Sequence, residues 1–300
     1  MSNEKKEQLL QLSILLKETQ LLWNSNPFAQ HRQDWEQVWP QWSMFFRSWS
    51  EAELECFEQN PEQHPSAPRD LIDCAKQLQQ HVGLRGFDRV KLQERHAQNW
   101  YTKKRKWSQI KQLSETLSPL KGKGIVDWCG GKGHLGRNLA IWNDLPVLLV
   151  EHQPLLCEQA QDLAEEHKVD LKSAVLDVLH SDVNIPEQWS LVALHACGKL
   201  SEQAMRVAIK QQLKEVAISP CCYHAHISDR RAALSQVGIE QNVTLDRRAL
   251  MLPSFAEQYA SRAGRQRRRR EMAYRQGLDL LLREYSGHGK YRSFRSVPTA

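Results

Sequence analysis

The sequence predicts an α/β fold, a doubly wound and mostly parallel sheet preceded by a separate N-terminal helical domain. Three observations carry this expectation. After Tyr101 short apolar runs alternate with amphipathic segments, as strands and helices do in a parallel sheet. Between the first run and the first such segment lies Gly131-Lys132-Gly133-His134-Leu135-Gly136, a literal G-x-G-x-x-G. Before Tyr101 the periodicity is helical throughout, with leucines and tryptophans at spacings of three and four. The expected division is residues 1–99 for the helical domain and 100–300 for the α/β domain.

In the helical part, Leu9, Leu10, Leu12, Ile14, Leu15, Leu21, Leu22 and Trp23 predict a helix of about five turns. Trp35, Trp39, Trp42, Phe46 and Trp49 fall at i, i+4, i+7, i+11 and i+14, on one helical stripe. Pro40 breaks that stripe, so two helices should meet there. Such a stripe is either core or a platform for stacking bases, and helical spacing favours core. Ser50-Glu51-Ala52-Glu53 has the form of a capping box. Pro61, Pro65 and Pro68 mark a loop over Gln59–Arg69, leading into a helix at Asp70–Gln80.

In the α/β part, strands are expected at Gly124–Trp128, Val147–Glu151, Lys172–Leu176, Leu191–His195 and Val216–Ser219. Helices are expected near His134–Asn143, Leu155–His167, Ser201–Gln212 and Asp229–Val237. A sixth strand at Asn242–Leu245 and a basic amphipathic helix near 262–285 would follow, with no signal in Tyr291–Ala300. Ligands of such sheets bind beyond the carboxyl ends of the strands.

Bulk properties bound the function. Of 300 residues, 41% are hydrophobic and 25% charged, and no apolar run approaches the roughly 20 residues that span a bilayer. The Gln-rich start lacks a secretory signal pattern, so a cytoplasmic location and no membrane partner are expected. The seven cysteines do not form a disulfide-type framework. The net charge of +6 concentrates in Lys103–Lys106 and Arg262–Arg275, the latter containing Arg267, Arg268, Arg269 and Arg270 in a row. Lys103, Lys104, Arg267 and Arg268 are therefore candidate substrate contacts, with RNA as the expected anionic partner. Nothing in the composition speaks to oligomeric state.

Two cofactor readings compete for the glycine loop. In both, an acid ending the second strand holds ribose hydroxyls, and Glu151 stands 20 residues after Gly131. Asp127 tips the balance. A carboxylate at the end of the first strand suits a cofactor bearing a sulfonium and an ammonium, whereas beside a pyrophosphate it would be repulsive. Asp177 adds an acceptor for an adenine amino group. S-adenosylmethionine is thus preferred over a nicotinamide cofactor, with Asp127, Gly131, Gly133, His134, Leu135, Glu151, Asp177 and Val178 as its candidate contacts. Cys129 stands where glycine is usual, and a cysteine there is expected to keep ordinary φ.

His195, Cys197, Cys221, Cys222, Tyr223 and His224 follow the fourth and fifth strands, which should be neighbours if the first strand is central. His195, Cys221, Cys222, Tyr223 and His224 are the candidate catalytic residues. Three chemistries are open. One is alignment of an acceptor for in-line methyl transfer, with His224 or His195 as general base. Another is a covalent cysteine adduct at Pro220-Cys221. The third is metal binding, against which stand the adjacency of Cys221 and Cys222 and the lack of a C-x-x-C; no metal is expected. The tetrads of amino-group and ribose methylation are not apparent.

Asp127–Arg137, His195–Ser201 and Cys221–His224 together resemble the methyltransferase-like protein family, with its D-x-G-x-G-K-G-H-L, H-x-C-G and C-C-Y-H motifs. That family is related to tRNA 2′-O-methyltransferases bearing a C-C-H-H stretch. Lys103-Lys104 resembles the family's K-K feature, and the basic helix followed by Tyr291 resembles its bacterial branch. The resemblance covers about Trp100–Pro298. It implies a Rossmann-like class I methyltransferase fold, S-adenosylmethionine as cofactor and an RNA substrate (tRNA or rRNA). A non-catalytic RNA-binding protein on the same fold, or a protein or small-molecule acceptor, are the alternatives.

Overall fold

A computed structural model describes residues 3–25, 32–50, 52–53, 56–57, 66–82, 86, 88–90, 102–255 and 262–287. Most of the proline-rich loop at 59–69 and all of the tail at 291–300 lie outside the described residues. The contacts divide the chain into two compact units. The first comprises residues 1–84, 232–245 and 255–300, and the second residues 85–231 and 246–254. The basic helix, expected as part of the α/β domain, thus belongs to the first unit.

In the first unit, α1 (Asn3–Glu18) and α2 (Gln20–Trp23) divide the single helix that the leucine pattern predicts. Thr19 between them turns its hydroxyl back to the Leu15 carbonyl at 2.7 Å, a bond that competes with the helical ladder. α3 (Trp35–Val38) and α4 (Pro40–Arg47) meet at Pro40 as expected, proline occupying the first turn of α4 where its missing N–H costs nothing. The aromatic stripe packs on itself: the Trp39 and Trp42 rings stack at 5.0 Å, and Phe45 meets Trp49 edge-on at 4.5 Å. Trp42 and Phe45 are buried. Glu36 clamps α3 to α4, accepting from Ser43 Oγ and Arg47 Nη2, each at 2.7 Å. The capping box is formed, with Ser50 N–H donating to Glu53 Oε2 at 2.7 Å. α5 (Arg69–Val82) packs on α1.

The second unit is built on five parallel strands, β1 (Ile125–Trp128), β2 (Val147–Glu151), β3 (Leu171–Val175), β4 (Ser190–Leu194) and β5 (Val216–Ser219), in the order β3-β2-β1-β4-β5. The apolar composition of the inner strands β1, β2 and β4 suits burial on both faces, while the edge strands β3 and β5 are partly exposed. Alternation along β1 sends Val126 and Trp128 to one core cluster and Ile125 to the other. α6 (Lys104–Leu117) and α7 (His134–Asn143) cover the Ile125 face, while α9 (Lys199–Lys210) covers the Val126 face. α8 (Pro154–Glu166) packs on β2 and β3. Each fully buried residue such as Leu139, Leu149 or Leu191 contributes about 1.5–3 kcal/mol. Asp127 shares a strand face with Ile125, so its carboxylate is carried beneath the start of α7.

Beyond β5 the pattern departs from expectation. A two-residue strand, Arg230–Arg231, replaces the start of the helix expected at Asp229–Val237. Ser235 caps α10 (Gln236–Gln241) by accepting the Gly238 N–H at 3.1 Å, and this sets the later start. Only Leu245–Asp246 is extended near the expected sixth strand, and among the described residues no sixth strand joins the main sheet. No helix among the described residues is long and apolar enough to cross a membrane.

Candidate active site

The loop after β1 turns through Cys129 (φ 54°), Gly131 (φ 61°) and Gly133 (φ 65°). The expectation that Cys129 keeps ordinary φ is thus corrected: the residue takes the left-handed conformation, a cost that the surrounding strand ends impose. Its N–H donates to the Val150 carbonyl at 2.8 Å, which holds it there. At Gly131 an added Cβ would meet nothing within 4 Å, so the space over the loop is open.

Asp127 is fully buried, and its Oδ2 accepts the Gly136 N–H at 2.9 Å. Burial pushes its pKa up to about 6 from an ordinary 3.8; the Gly136 bond, Lys106 and Arg137 oppose that rise, and Glu151 adds to it. Glu151 is also buried. Its Oε2 accepts the Gly131 N–H at 3.1 Å, and its Oε1 accepts the N–H groups of His152 and Gln153 at 3.0 and 3.2 Å. It therefore ties the glycine loop to the start of α8.

Asp127, Cys129, Gly131, His134 and Leu135 line a cavity of about 140 Å³ together with Lys106 and His195. Ligand pockets run to about 300–1,000 Å³, so only one end of a nucleoside cofactor would enter this cavity.

Not every candidate cofactor contact faces this space. Val178 is buried in the core cluster on the Val126 face, and Leu135 belongs to the other cluster while also lining the cavity. Asp177 lies two residues past the end of β3, exposed. Its two oxygens take the Leu179 N–H and the His180 ring, each at 2.9 Å, and these bonds hold its pKa below the ordinary value. His134 is buried, its Nδ1 accepting from Arg137 Nη2 at 2.8 Å. Burial first, then the charge of Arg137, lowers its pKa to about 4, so it is neutral.

Arg137 escaped sequence reasoning. It is buried, and besides His134 it reaches the Gly133 carbonyl at 3.4 Å and His167 Nδ1 at 3.3 Å, bracing the loop against the end of α8. Its place one turn after Gly133 was the available signal.

On the other side of β1, the two later motifs converge. The His195 N–H donates to the Ser219 carbonyl at 2.9 Å, and the Lys199 N–H to the Ala225 carbonyl at 3.2 Å. His195 takes a left-handed φ of 68°, and its Nε2 lies 3.0 Å from Gln109 Oε1 on α6. Burial, with Lys106 and Arg105 nearby, lowers its pKa below 6.5. His195 lines both the glycine-loop cavity and a groove of about 970 Å³ running past Gln109, Leu113, Ser219 and Cys221.

Cys221 is pushed up to about 12, by burial first and then by hydrogen bonds with Cys197 and Cys222. Tyr223 is exposed and His224 half-buried, its Nδ1 enclosed without a hydrogen-bond partner among the described residues.

Of the candidate substrate contacts, Lys103 caps α6 and Lys104 begins it, both exposed. Lys106, two residues on, is the member of that run that borders the cavity. The helical period would have found it, since Lys106 and Ile110 share a face. Arg267 and Arg268 lie on α11 (Arg262–Ser286), in the first unit.

Residues 105–229 match a family model described as a methyltransferase domain. This stretch contains the glycine loop, both carboxylates and the His195–His224 cluster. Among curated proteins, the chain is similar to a glutathione S-transferase C-terminal domain-containing protein of Xenopus laevis, 34% identical over 127 residues, 40% of this chain and 19% of that protein. The protein of the same description from Bos taurus is 27% identical over 151 residues, 49% of this chain and 23% of that one. The matched stretch thus spans about a fifth of the length of these relatives. They are animal proteins, so placement in a bacterial branch rests on the motif resemblance alone. Among solved structures, the tRNA (uracil-54, C5)-methyltransferase of Pyrococcus abyssi with S-adenosyl-L-homocysteine is similar at 21% identity and a TM-score of 0.32, covering 38% of this chain and 28% of that one. That likeness is partial, and no feature of the site rests on it.

Proposed function

We propose that the chain is an S-adenosylmethionine-dependent methyltransferase that modifies RNA. The observation that carries this reading is the position of His195, which borders both the cavity over the glycine loop and the larger groove. A methyl donor held on one side and an acceptor lying on the other would meet at that residue.

The residues fit the cofactor. The open space at Gly131, Asp127 in the cavity lining and Glu151 at the neighbouring strand end form an acceptor set for a cationic nucleoside. S-adenosylmethionine supplies an electrophilic methyl group on a sulfonium. Asp127 would favour its positive end, and Glu151 its ribose hydroxyls. Were His195 Nε2 to donate to Gln109 Oε1, Nδ1 would be the nitrogen left to take a proton from the methyl acceptor. Its lowered pKa keeps the ring neutral at pH 7, as a general base requires.

The RNA part of the reading is supported by charge. Lys103, Lys104, Arg105 and Lys106 crowd the first turn of α6, and Lys106 reaches the cavity rim. Arg267 and Arg268 add a second basic stretch on α11. The test is incubation with labelled S-adenosylmethionine and total RNA or total protein in parallel. Label in the RNA fraction is expected. Label in protein alone would overturn the substrate class, and label in neither would overturn methyl transfer.

A further inference from the structure

Three thiols from two loops converge beyond β4 and β5. Cys197 Sγ lies 3.2 Å from Cys221 Sγ, and Cys221 Sγ lies 3.6 Å from Cys222 Sγ. All three sulfurs fall within 4.8 Å of one another. The backbone holds the loops in this arrangement. The Cys221 N–H donates to Cys197 Sγ at 3.3 Å, and the Lys199 N–H to the Ala225 carbonyl at 3.2 Å. Between them Gly198 approaches the Ala225 carbonyl so closely that a Cβ would overlap it. Adjacency of Cys221 and Cys222 spoke against shared coordination on sequence grounds, but the turn after Pro220 brings their sulfurs together.

Thiolates bound to zinc at about 2.3 Å in tetrahedral geometry are about 3.8 Å apart, close to the spacing seen here. A disulfide would use two of the sulfurs and leave the third idle, whereas a cation uses all three. We propose that Cys197, Cys221 and Cys222 form a binding site for a thiophilic divalent cation, zinc by preference. Soft sulfur ligands select such ions over magnesium or calcium. As the three sulfur–metal bonds form, the three thiols release their protons to solvent, and no electron is transferred. The fourth tetrahedral position is left to solvent or to a donor from outside the triad. Once bound, the ion cross-links the loop that begins at His195 to the loop that follows β5.

The test uses the full chain, reduced and stripped of metal, titrated with Co²⁺ and followed by absorbance. The expected result is saturable stoichiometric uptake with a sulfur-to-cobalt charge-transfer band that Zn²⁺ abolishes. Cys221→Ser and Cys222→Ser should each remove stoichiometric uptake, while Cys56→Ser and Cys74→Ser, outside the triad, should leave it intact. Circular dichroism checks that each variant is folded. A second readout needs no variant: bound Zn²⁺ should protect Cys197, Cys221 and Cys222 from iodoacetamide, as mapped by peptide mass spectrometry. Absence of the band, uptake that survives both substitutions, or protection of other cysteines instead would overturn the proposal. So would a Cys197–Cys221 disulfide in air-exposed protein whose reduced form takes up no metal. None of these readouts depends on methyl transfer.

Discussion

At the carboxyl ends of β1 and β2 the polar groups are carboxylates, and their partners are backbone N–H groups. Asp127 takes the N–H of Gly136, and Glu151 those of Gly131, His152 and Gln153. At the ends of β4 and β5 the polar groups are a ring and thiols, and their partners include side chains of other elements and loops. His195 meets Gln109 across 86 positions, and Cys197 meets Cys221 across 24. The first side is a fixed electrostatic cradle that favours positive charge. The second is an assembled surface, where His195 and Cys221 line a groove. With the methyl donor on the first side and the acceptor on the second, substitutions on the two sides should separate binding from turnover.

The largest expected effect is on the second side. His195→Ala should lower turnover by about 10²–10⁴-fold, the usual worth of a general base, while the cofactor Kd stays unchanged. A matching loss of cofactor affinity would erase the distinction between the sides. Next is Glu151→Ala, which leaves three N–H groups without their acceptor, each costing about 1–3 kcal/mol where buried. Cofactor affinity should fall on the order of a hundredfold and the Tm should drop as well, measured by calorimetry and thermal melting.

Asp127→Asn keeps the volume and an acceptor for Gly136 but removes the charge, at a cost of about 1.5–3 kcal/mol in cofactor binding. This variant also tests a pH dependence. Because Asp127 sits at about 6, it is ionised above that pH and neutral below it. Wild-type affinity should therefore decline as pH falls through about 6, and that decline should vanish in Asp127→Asn. The smallest effect is expected from Lys106→Ala. Removing this charge should raise the lowered pKa of His195, moving the acidic limb of the rate profile toward 6.5.

The contrast between the two sides also explains what the sequence made legible. β2 and β5 were placed to the residue, at Val147–Glu151 and Val216–Ser219, because short β-branched runs bounded by turn residues admit little else. α7 began at His134 as expected because the glycines preceding it cannot extend a helix cheaply. Asp127 and Glu151 were legible for the same local reason, one next to last in β1 and the other last in β2.

Local pattern failed where tertiary contact decided. It set Cys129 in ordinary φ, whereas the bond to Val150 holds it left-handed. It missed Lys106 and Gln109, whose roles depend on how α6 lies against the ends of β1 and β4. It did not show that the Val178 side chain packs in the core. It offered His195 and His224 as equal bases, and only the fold shows that His195 faces both cavities.

Titration calorimetry of the purified chain with S-adenosylmethionine, and separately with NAD, tests the cradle most directly. Saturable binding of S-adenosylmethionine, weakened in Asp127→Asn, with no heat from NAD, is the predicted result. Equal binding of NAD, or S-adenosylmethionine binding that is indifferent to Asp127, would contradict the account.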